Sequence, residues 1–506
     1  MNRAQRLARL LRILAAIIAE PGLKPLELAD RAGVSERTLR RDLTQLRELG
    51  YDVAYASGYE VQEKLNLDGR SKARSPKRVY QQQFELLQAV AQAVGSAGLG
   101  STGPGPVRRG KTAVAMETGA RTAPSRARRS KPKPKPLVLI PGGESDADFI
   151  YASGFAVEIG LYIRFPNGED VLVASPLEID RARAQSRAKK VIVDPEAYIT
   201  GSWAGLAATM LREKGIHEAR VSPQLHAIHL EELRAAGIDV EVDRELFVME
   251  RRRKSPEEAE HIQAAQRAAE AAVREVVRHL AAAEIKDGLL WLDGSPLTSE
   301  RLYARAQLML GEMGFTCPDM IIASSPECAL PHYRGEGQIR SDAPVIIDIF
   351  PVGRTSHCYG DLTRTVIVGE IPEEFRRMHA VVLQALDAGI ETIRAGVPGR
   401  DAHIAVCEVL VDRGYGTTTA GYEGPDGVAK MNHGTGHGVG LDIHEKPTLR
   451  QNNAEPLLEG DVVTVEPGLY KLGLGGVRVE DTGMVTGNGF RNFTTLTRSL
   501  DPKDYL

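Results

Sequence analysis

The sequence predicts a multidomain chain in which a small, basic, helical amino-terminal unit precedes a larger body built from α/β patterns. Length, charge distribution and a break in periodicity predict it. The 506 residues suit about three domains. Residues 1–136 hold 26 Lys+Arg against 12 Asp+Glu, whereas the remainder holds 38 against 55. A net charge of −3 therefore conceals a basic arm on an acidic body, the balance expected where one part meets a polyanion. Between about 95 and 136 hydrophobic periodicity is lost, which separates the two parts. With 42% hydrophobic residues the chain can bury sizeable cores. No run of 18 apolar residues occurs, so no membrane span is expected. The start "RAQRLARLLRILAAIIAEPG" superficially resembles a signal peptide, but Arg12 interrupts its apolar part and the helical pattern continues, so none is expected. Cys317, Cys328, Cys358 and Cys407 show no CxxC pairing, which agrees with a reducing cytoplasm.

Taken in order, residues 4–19 place Leu7, Leu10, Leu11, Leu14, Ile17 and Ile18 at helical spacing. Pro25 suits a first helical turn, and "LELADRA" reads as a short helix. "GVS" is a tight turn whose Ser35 can cap a helix over about 35–48. That helix buries Leu39, Leu43 and Leu46 and exposes Arg37, Arg40, Arg41 and Arg47. Gly50 ends it, and "YDVAYASGYEV" reads as a hairpin turning at Ser57-Gly58. Three helices and a hairpin resemble a DeoR-like winged helix-turn-helix over residues 1–65. The resemblance implies DNA as a partner, with Ser35, Arg37, Thr38, Arg40 and Arg41 approaching the major groove and its phosphates. A small helical domain used for protein contacts is the other reading, and the basic third helix favours DNA.

Residues 66–136 are expected to be a linker. From 101 to 136 there are ten basic residues and one acidic, with Lys-Pro repeats that favour an extended chain. Such a segment could add phosphate contacts or act as a tether alone. From 137 to about 252, "LVLI", "LYIRF", "DVLVA", "KKVIV", "HEARVS" and "IDVEVD" read as strands. "GSWAGLAATMLREKG" and "LHAIHLEELRAAG" read as helices. Residues 253–506 open with a long amphipathic helix, capped at Ser255 with Glu258 three residues on.

Chemistry concentrates in that last segment. Asp348 and Asp361 are expected on consecutive strands. "NHGTGHGVGLDIHEKP" supplies His433, His437 and His444 among glycines. "DVVTVEPGLY" and "GGVRVEDTGMV" place Glu466 and Glu480 in otherwise apolar strands. Strand-buried carboxylates are costly unless paired or bound to metal. Two Asp, two Glu and a His form an oxygen-rich set that favours Mn²⁺, Co²⁺, Fe²⁺ or Zn²⁺ over a thiolate metal. Four carboxylates exceed the needs of one ion, and bridging carboxylates hold two ions about 3.5–4 Å apart. Each carboxylate alone could instead be a strand-end ion pair.

Residues 137–500 resemble the pita-bread metallopeptidases of the Xaa-Pro dipeptidase and Xaa-Pro aminopeptidase type. "GDLTRTVIVGE", "HGTGHGVGLDIHEKP", "VEPGLY" and "GGVRVEDTGMV" match that family's motifs in order, and "SDADFIYASGF" and "MERRRKSPEEAEHI" match its amino-terminal landmarks. The resemblance implies a creatinase/prolidase-like α/β domain followed by an α+β pita-bread catalytic domain. It implies two divalent ions, Mn²⁺ or Co²⁺ first and Zn²⁺ or Fe²⁺ next, held by Asp348, Asp361, His437, Glu466 and Glu480. It further implies attack by a metal-bridging hydroxide on a peptide carbonyl. Glu466 would also shuttle the proton, and His332 and His444 would stabilise developing charge. His433 would shape the pocket, and Arg478 would orient the ligands. A homodimer is implied by resemblance alone. The chain departs from the family at "DIFPVGRTSHCYGD": Phe350 replaces a glycine, and 13 positions rather than eleven separate the aspartates. Arg354, His357 and Cys358 are therefore expected to reshape the pocket near the metals. The alternative function is a transcriptional regulator using the pita-bread domain as a peptide or small-molecule sensor without catalysis. Metal-free creatinase-like chemistry fits less well, because that branch lacks this ligand set, and the basic arm could also be functionally idle.

Overall fold

The computed structural model describes residues 13, 24, 27–29, 34, 39, 42, 43, 53–55, 59–61 and 134–506, and the chain divides into two units, Met1–Arg126 and Ala127–Leu506. In the first unit the residues at 13, 27–29, 39, 42 and 43 are helical. Ile13, Leu28, Leu39 and Leu43 are buried, and Leu39 and Leu43 are two of the residues expected on the inner face of the third helix. Lys24 donates its N–H to Glu27 Oε2 at 2.9 Å, and Leu28 N–H reaches Lys24 O at 2.9 Å, closing a first helical turn. Strands β1 (Val53–Tyr55) and β2 (Tyr59–Val61) form an antiparallel hairpin with Tyr55 opposite Tyr59. Ser35, Arg37, Thr38, Arg40 and Arg41, and the linker up to 133, lie outside the described residues.

In the second unit, strands β3 (Leu137–Leu139), β4 (Gly160–Arg164), β5 (Asp170–Ala174), β6 (Lys190–Val193), β7 (Glu218–Val221) and β8 (Asp239–Val242) form one mixed sheet. Its order is β6-β5-β4-β3-β7-β8, antiparallel at β3–β4–β5 and parallel elsewhere. Helices α1 (Ala147–Ser153), α2 (Ile179–Gln185), α3 (Trp203–Glu213) and α4 (Ala227–Ala235) accompany it. Trp203, Ala204, Ala207, Ala208 and Leu211 on α3 join Val138, Leu161 and Ile163 in one core. Leu137, Leu139 and Tyr162 enter a second core with Phe149 and Phe155. Both faces of the central strands are thus covered, which explains their uninterrupted apolar runs.

A short helix α5 (Val248–Arg252) leads into α6 (Pro256–Ala281). The capping box expected from sequence closes α6: Ser255 Oγ accepts from Glu258 N–H at 3.1 Å and Glu258 Oε2 accepts from Ser255 N–H at 2.8 Å. One face of α6 packs with α7 (Ser299–Glu312) and with strands β9 (Ile321–Ser324), β10 (Pro344–Ile349) and β11 (Leu362–Ile367). These three strands form an antiparallel sheet, β10 central. Helices α8 (Glu373–Thr392) and α9 (Gly399–Asp412) back a second core. It includes β13 (Glu445–Leu449), β14 (Val462–Val465), β15 (Gly468–Lys471), β16 (Gly475–Arg478) and β17 (Asp481–Val485). With β12 (Gly436–Gly438) and β18 (Phe490–Asn492), the larger sheet runs β13-β12-β14-β17-β18 and is antiparallel throughout. The strand pair β15–β16 is antiparallel, with Gly468 opposite Arg478. Helix-backed antiparallel sheets give the last domain the α+β character expected of it.

Candidate metal centre

Four carboxylates and a histidine from distant parts of the chain meet where these sheets converge. Asp348 lies within β10, opposite Thr363. The other three carboxylates do not occupy the interior of strands, contrary to the sequence expectation. Asp361 immediately precedes β11, Glu466 follows β14, and Glu480 lies between β16 and β17. The reason is backbone bonding, because each N–H is committed across to another element. Asp361 N–H donates to Gln266 Oε1 (2.9 Å), Glu466 N–H to Thr435 O (2.8 Å) and Glu480 N–H to Thr363 O (3.1 Å). Each carboxylate thus projects from a junction between elements.

Donor atoms of Asp361, His437 and Glu480 all lie within 4.8 Å of one another. His437 Nε2 is 3.5 Å from Asp361 Oδ2 and 3.6 Å from Glu466 Oε1. His437 Nδ1–H donates to Gly438 O at 3.1 Å, which leaves Nε2 as a bare lone pair facing the carboxylates. Burial, reinforced by His444, pushes its pKa down to about 3, so the ring is neutral. Burial also raises the carboxyls of Asp361 and Glu480, each further raised by neighbouring carboxylates, and takes Glu466 up to about 7. The buried cation inside the cluster is Arg478, whose Nη2 is 2.6 Å from Asp348 Oδ2. Four carboxylates against one guanidinium leave a formal −3 among largely buried side chains. Asp348 Oδ1 is buried with no hydrogen-bond partner. An oxygen-rich donor set, a deficit of positive charge and an orphaned carboxylate oxygen all fit hard divalent cations.

The residues flanking His437 are small for a steric reason. A Cβ at Gly436 would strike the Thr464 carbonyl, and one at Gly438 the Lys446 carbonyl. Strand β12 can therefore run between its neighbours with His437 as its functional side chain, and Thr464 Oγ1 accepts the His437 N–H at 3.2 Å.

Behind the carboxylates lies a polar layer that sequence reasoning missed. Thr363 Oγ1 donates to Glu480 Oε2 at 2.8 Å and accepts from Arg478 Nε at 3.2 Å. Gln266 on α6 clasps the Asp361 backbone from both sides, since its Nε2 also donates to Asp361 O at 2.9 Å. Arg478 Nη1 donates to Tyr470 O–H, and Tyr470 Oη is 2.9 Å from His433 Nε2. With His433 Nδ1 2.7 Å from Gly434 O, Nδ1 carries the proton and Nε2 accepts from Tyr470. His433 thus lies three hydrogen bonds from Asp348, through Tyr470 and Arg478, tied to the polar layer. Alternation gave a signal for Thr363 and Thr365, which share a strand face with Asp361. None existed for Gln266, 95 positions away.

Of the remaining sequence candidates, His444 meets His437 edge-on, ring centroids 4.3 Å apart at 78°. His332 is exposed in the segment after β9, close enough to His433 and His444 to disfavour their protonation. The loop Phe350–Gly360 does not shape the metal pocket as expected. The groups that act on His357 are Glu144 and Arg181, and those that act on Cys358 are Glu258, Lys254 and Glu445. Val352 bridges Tyr359, Tyr359 N–H bonds Gly440 O, and His357 takes a left-handed φ of 55°. His357 thus faces the amino-terminal layer, Cys358 and Tyr359 pack with Ile262, Val439, Val462 and Phe493, and Phe350 packs on the core beneath α6. Instead, a cavity of about 350 Å³ opens beside His437 and His444, lined by Gln224, Arg244, Thr448 and Arg450 among others. All four cysteines are free and buried. Among the described residues no helix is long and apolar enough to cross a membrane.

Residues 260–487 match the model of metallopeptidase family M24, and residues 9–60 match an HTH domain. Over 183 residues the chain is 36% identical to an Xaa-Pro dipeptidase of Pyrococcus furiosus, covering 36% of this chain and 49% of that protein. Over 183 residues it is 34% identical to an Xaa-Pro dipeptidase of Pyrococcus horikoshii, covering 36% and 48%. The chain spans about half the length of the curated relatives it matches. Among solved structures it is similar to a prolidase from Pyrococcus furiosus (TM-score 0.60, 25% identity), covering 72% of this chain and 97% of that one. An Xaa-Pro dipeptidase from Bacillus anthracis has the same fold (TM-score 0.63, 23% identity, 72% and 94% covered). The chain therefore carries a metallopeptidase family M24 domain of pita-bread fold behind an amino-terminal helix-turn-helix domain.

Proposed function

We propose that this chain is a dinuclear-metal-dependent peptidase that cleaves a bond near the amino terminus of short Xaa-Pro peptides, and that residues 1–65 bind DNA. The working partition is a winged helix-turn-helix at 1–65, a linker at 66–136, a prolidase-like α/β domain at 137–252 and a catalytic domain at 253–506. The observation that carries the reading is the convergence of Asp361, His437, Glu466 and Glu480, together with the neighbouring Asp348, whose buried Oδ1 has no partner. Asp348, Asp361, His437, Glu466 and Glu480 would hold two divalent ions, Mn²⁺ or Co²⁺, with Zn²⁺ and Fe²⁺ also suited to the donors. Bound there, the ions supply an activated water and polarise the scissile carbonyl.

The chain's own groups do the rest. Glu466, with 21% of its side chain exposed against 7% for Asp361, faces outward enough to take a proton and hand it to the departing nitrogen. His444 and His332 place N–H donors where negative charge develops on the carbonyl oxygen. Arg244 and Arg450 face the cavity without an ion-pair partner among the described residues, and suit the free carboxylate of a short peptide. Four free thiols agree with a reducing cytoplasmic setting, and a homodimer is the assembly we expect.

Metal analysis of the purified chain should find two ions per chain. Xaa-Pro dipeptides should be hydrolysed on addition of Mn²⁺ or Co²⁺. Less than one ion per chain with no hydrolysis would sink the enzymatic reading. Band shifts of the full chain on its own upstream DNA should weaken steeply with salt. Absent or salt-insensitive binding would remove the DNA assignment.

A further inference from the structure

His444 has no hydrogen-bond or ion-pair partner among the described residues, and its ring contact is with His437. Its position is therefore inherited from the backbone around it. The segment Val439–His444 lies outside the strands, between β12 and β13. Asp442, two residues before His444, and Glu445, the residue after it, both turn their carboxylates to one guanidinium. Arg251 Nη2 on α5 lies 2.6 Å from Asp442 Oδ2 and 2.6 Å from Glu445 Oε2. Lys254 Nζ bonds the other Glu445 oxygen. The Glu445 carboxylate lies over Gly440, where a Cβ would approach Oε1 to 2.6 Å, so a side chain there would push the carboxylate aside.

The same guanidinium reaches the amino-terminal layer. Arg251 Nη1 is 3.3 Å from Asp148 Oδ1, and Asp148 Oδ2 accepts from Ser222 Oγ at 2.6 Å. Asp148 lies in the first turn of α1 and Ser222 follows β7. Arg251 is 12% exposed, Asp148 7% and Glu445 8%, so those two bonds are shielded from solvent competition, while Asp442, at 45%, forms the more exposed arm.

We infer that Arg251 is a positioning residue: it clamps the segment on both sides of His444 and, through Asp148, ties that histidine to the amino-terminal α/β layer. The inference rests on the reading that His444 acts on the substrate. The orientation of the layer thereby becomes a determinant of catalysis as well as of the cavity wall.

The test compares the full-length chain with Arg251→Met by hydrogen exchange and kinetics. Amide exchange at 441–445 should quicken at least tenfold while the segment 462–482 is unchanged. kcat on a dipeptide should fall tenfold or more, with metal content and KM little altered. In a His444→Ala background the same substitution should cost less than twofold. Asp148→Asn, which spares the two catalytic-domain carboxylates, should quicken exchange at 441–445 by a smaller factor. Unchanged exchange, exchange quickened throughout 253–506, or losses that multiply in the double variant would each overturn the clamp. If Arg251→Met fails to fold, Asp442→Asn must quicken the same amides, and its failure to do so overturns the inference equally. Should the parent chain cleave no peptide, the functional reading fails while the exchange comparison still decides the clamp.

Discussion

Among the described residues Arg364 is the largest side chain with less than 2% exposure, and it lies one residue from Thr363 in the floor of the metal centre. Its five donors are all used. Nε reaches Thr497 O (2.7 Å), Nη1 reaches Thr363 O (2.9 Å) and Glu480 O (2.5 Å), and Nη2 reaches Asp481 Oδ1 (3.0 Å) and Leu496 O (2.8 Å). Arg364→Met keeps the length and apolar bulk but leaves four carbonyls and one carboxylate oxygen without that donor. Adding five charge-assisted bonds at about 1.5–3 kcal/mol each would overstate the loss. The guanidinium's own desolvation cost disappears, and Asp481 Oδ2 keeps Asn492 and Arg498. Breaking a buried pair from one side typically costs about 3–5 kcal/mol, and we expect that range. At about 2–4 °C per kcal/mol for a domain of this size, the midpoint should drop by roughly 6–20 °C. Thermal unfolding of the metal-free chain followed by circular dichroism measures it. Arg364→Lys, with three donors in place of five, should fall between parent and Met. A shift below about 2 °C for Arg364→Met would refute the view that this guanidinium holds the floor of the site.

Thr363→Val removes the hydroxyl between Glu480 and Arg478 with little change in shape; titration calorimetry should show metal affinity about 10–100-fold weaker, and urea unfolding a loss of about 1–3 kcal/mol from the unpaired Arg478 Nε–H. Arg450→Ala should raise KM for dipeptides with a free carboxylate by about tenfold while sparing their amides, and equal effects on both would remove Arg450 from carboxylate recognition. His379 is buried, and that burial takes its pKa down to about 4 against an ordinary 6.5. Between those values the unfolded chain binds the extra proton, so stability is full above pH 6.5 and is lost as pH falls toward 4, by roughly 3 kcal/mol. His379→Gln should flatten that part of the stability–pH curve in urea unfolding, and an unchanged slope would show that the proton goes elsewhere.

The secondary structure of 137–506 was largely legible because its pattern is strong. Apolar runs marked β3 to β5, helical spacing marked α3, and Ser255 with Glu258 marked the start of α6. The metal donors were legible as motif spacing, but their placement at strand ends was not. That depends on partners such as Gln266 and Thr435, which pair with the ligands only through the fold. The same holds for the Phe350–Gly360 loop, whose length is visible in sequence but whose direction depends on Gly440 and the amino-terminal layer. Arg364 reads as one charged residue in a strand, and its five acceptors belong to Thr363, Glu480, Asp481, Leu496 and Thr497, three stretches that no local pattern connects.

The glycines around His437 carry a consequence for variation. A strand held so closely by the Thr464 and Lys446 carbonyls has no room for another side chain at 436 or 438. Mutational drift and laboratory evolution are therefore barred from that part of the site, whatever the selection applied. New substrate preferences have to arise across the cavity, at positions such as Gln224, Arg244, Thr448 and Arg450, where a changed side chain displaces solvent instead of backbone.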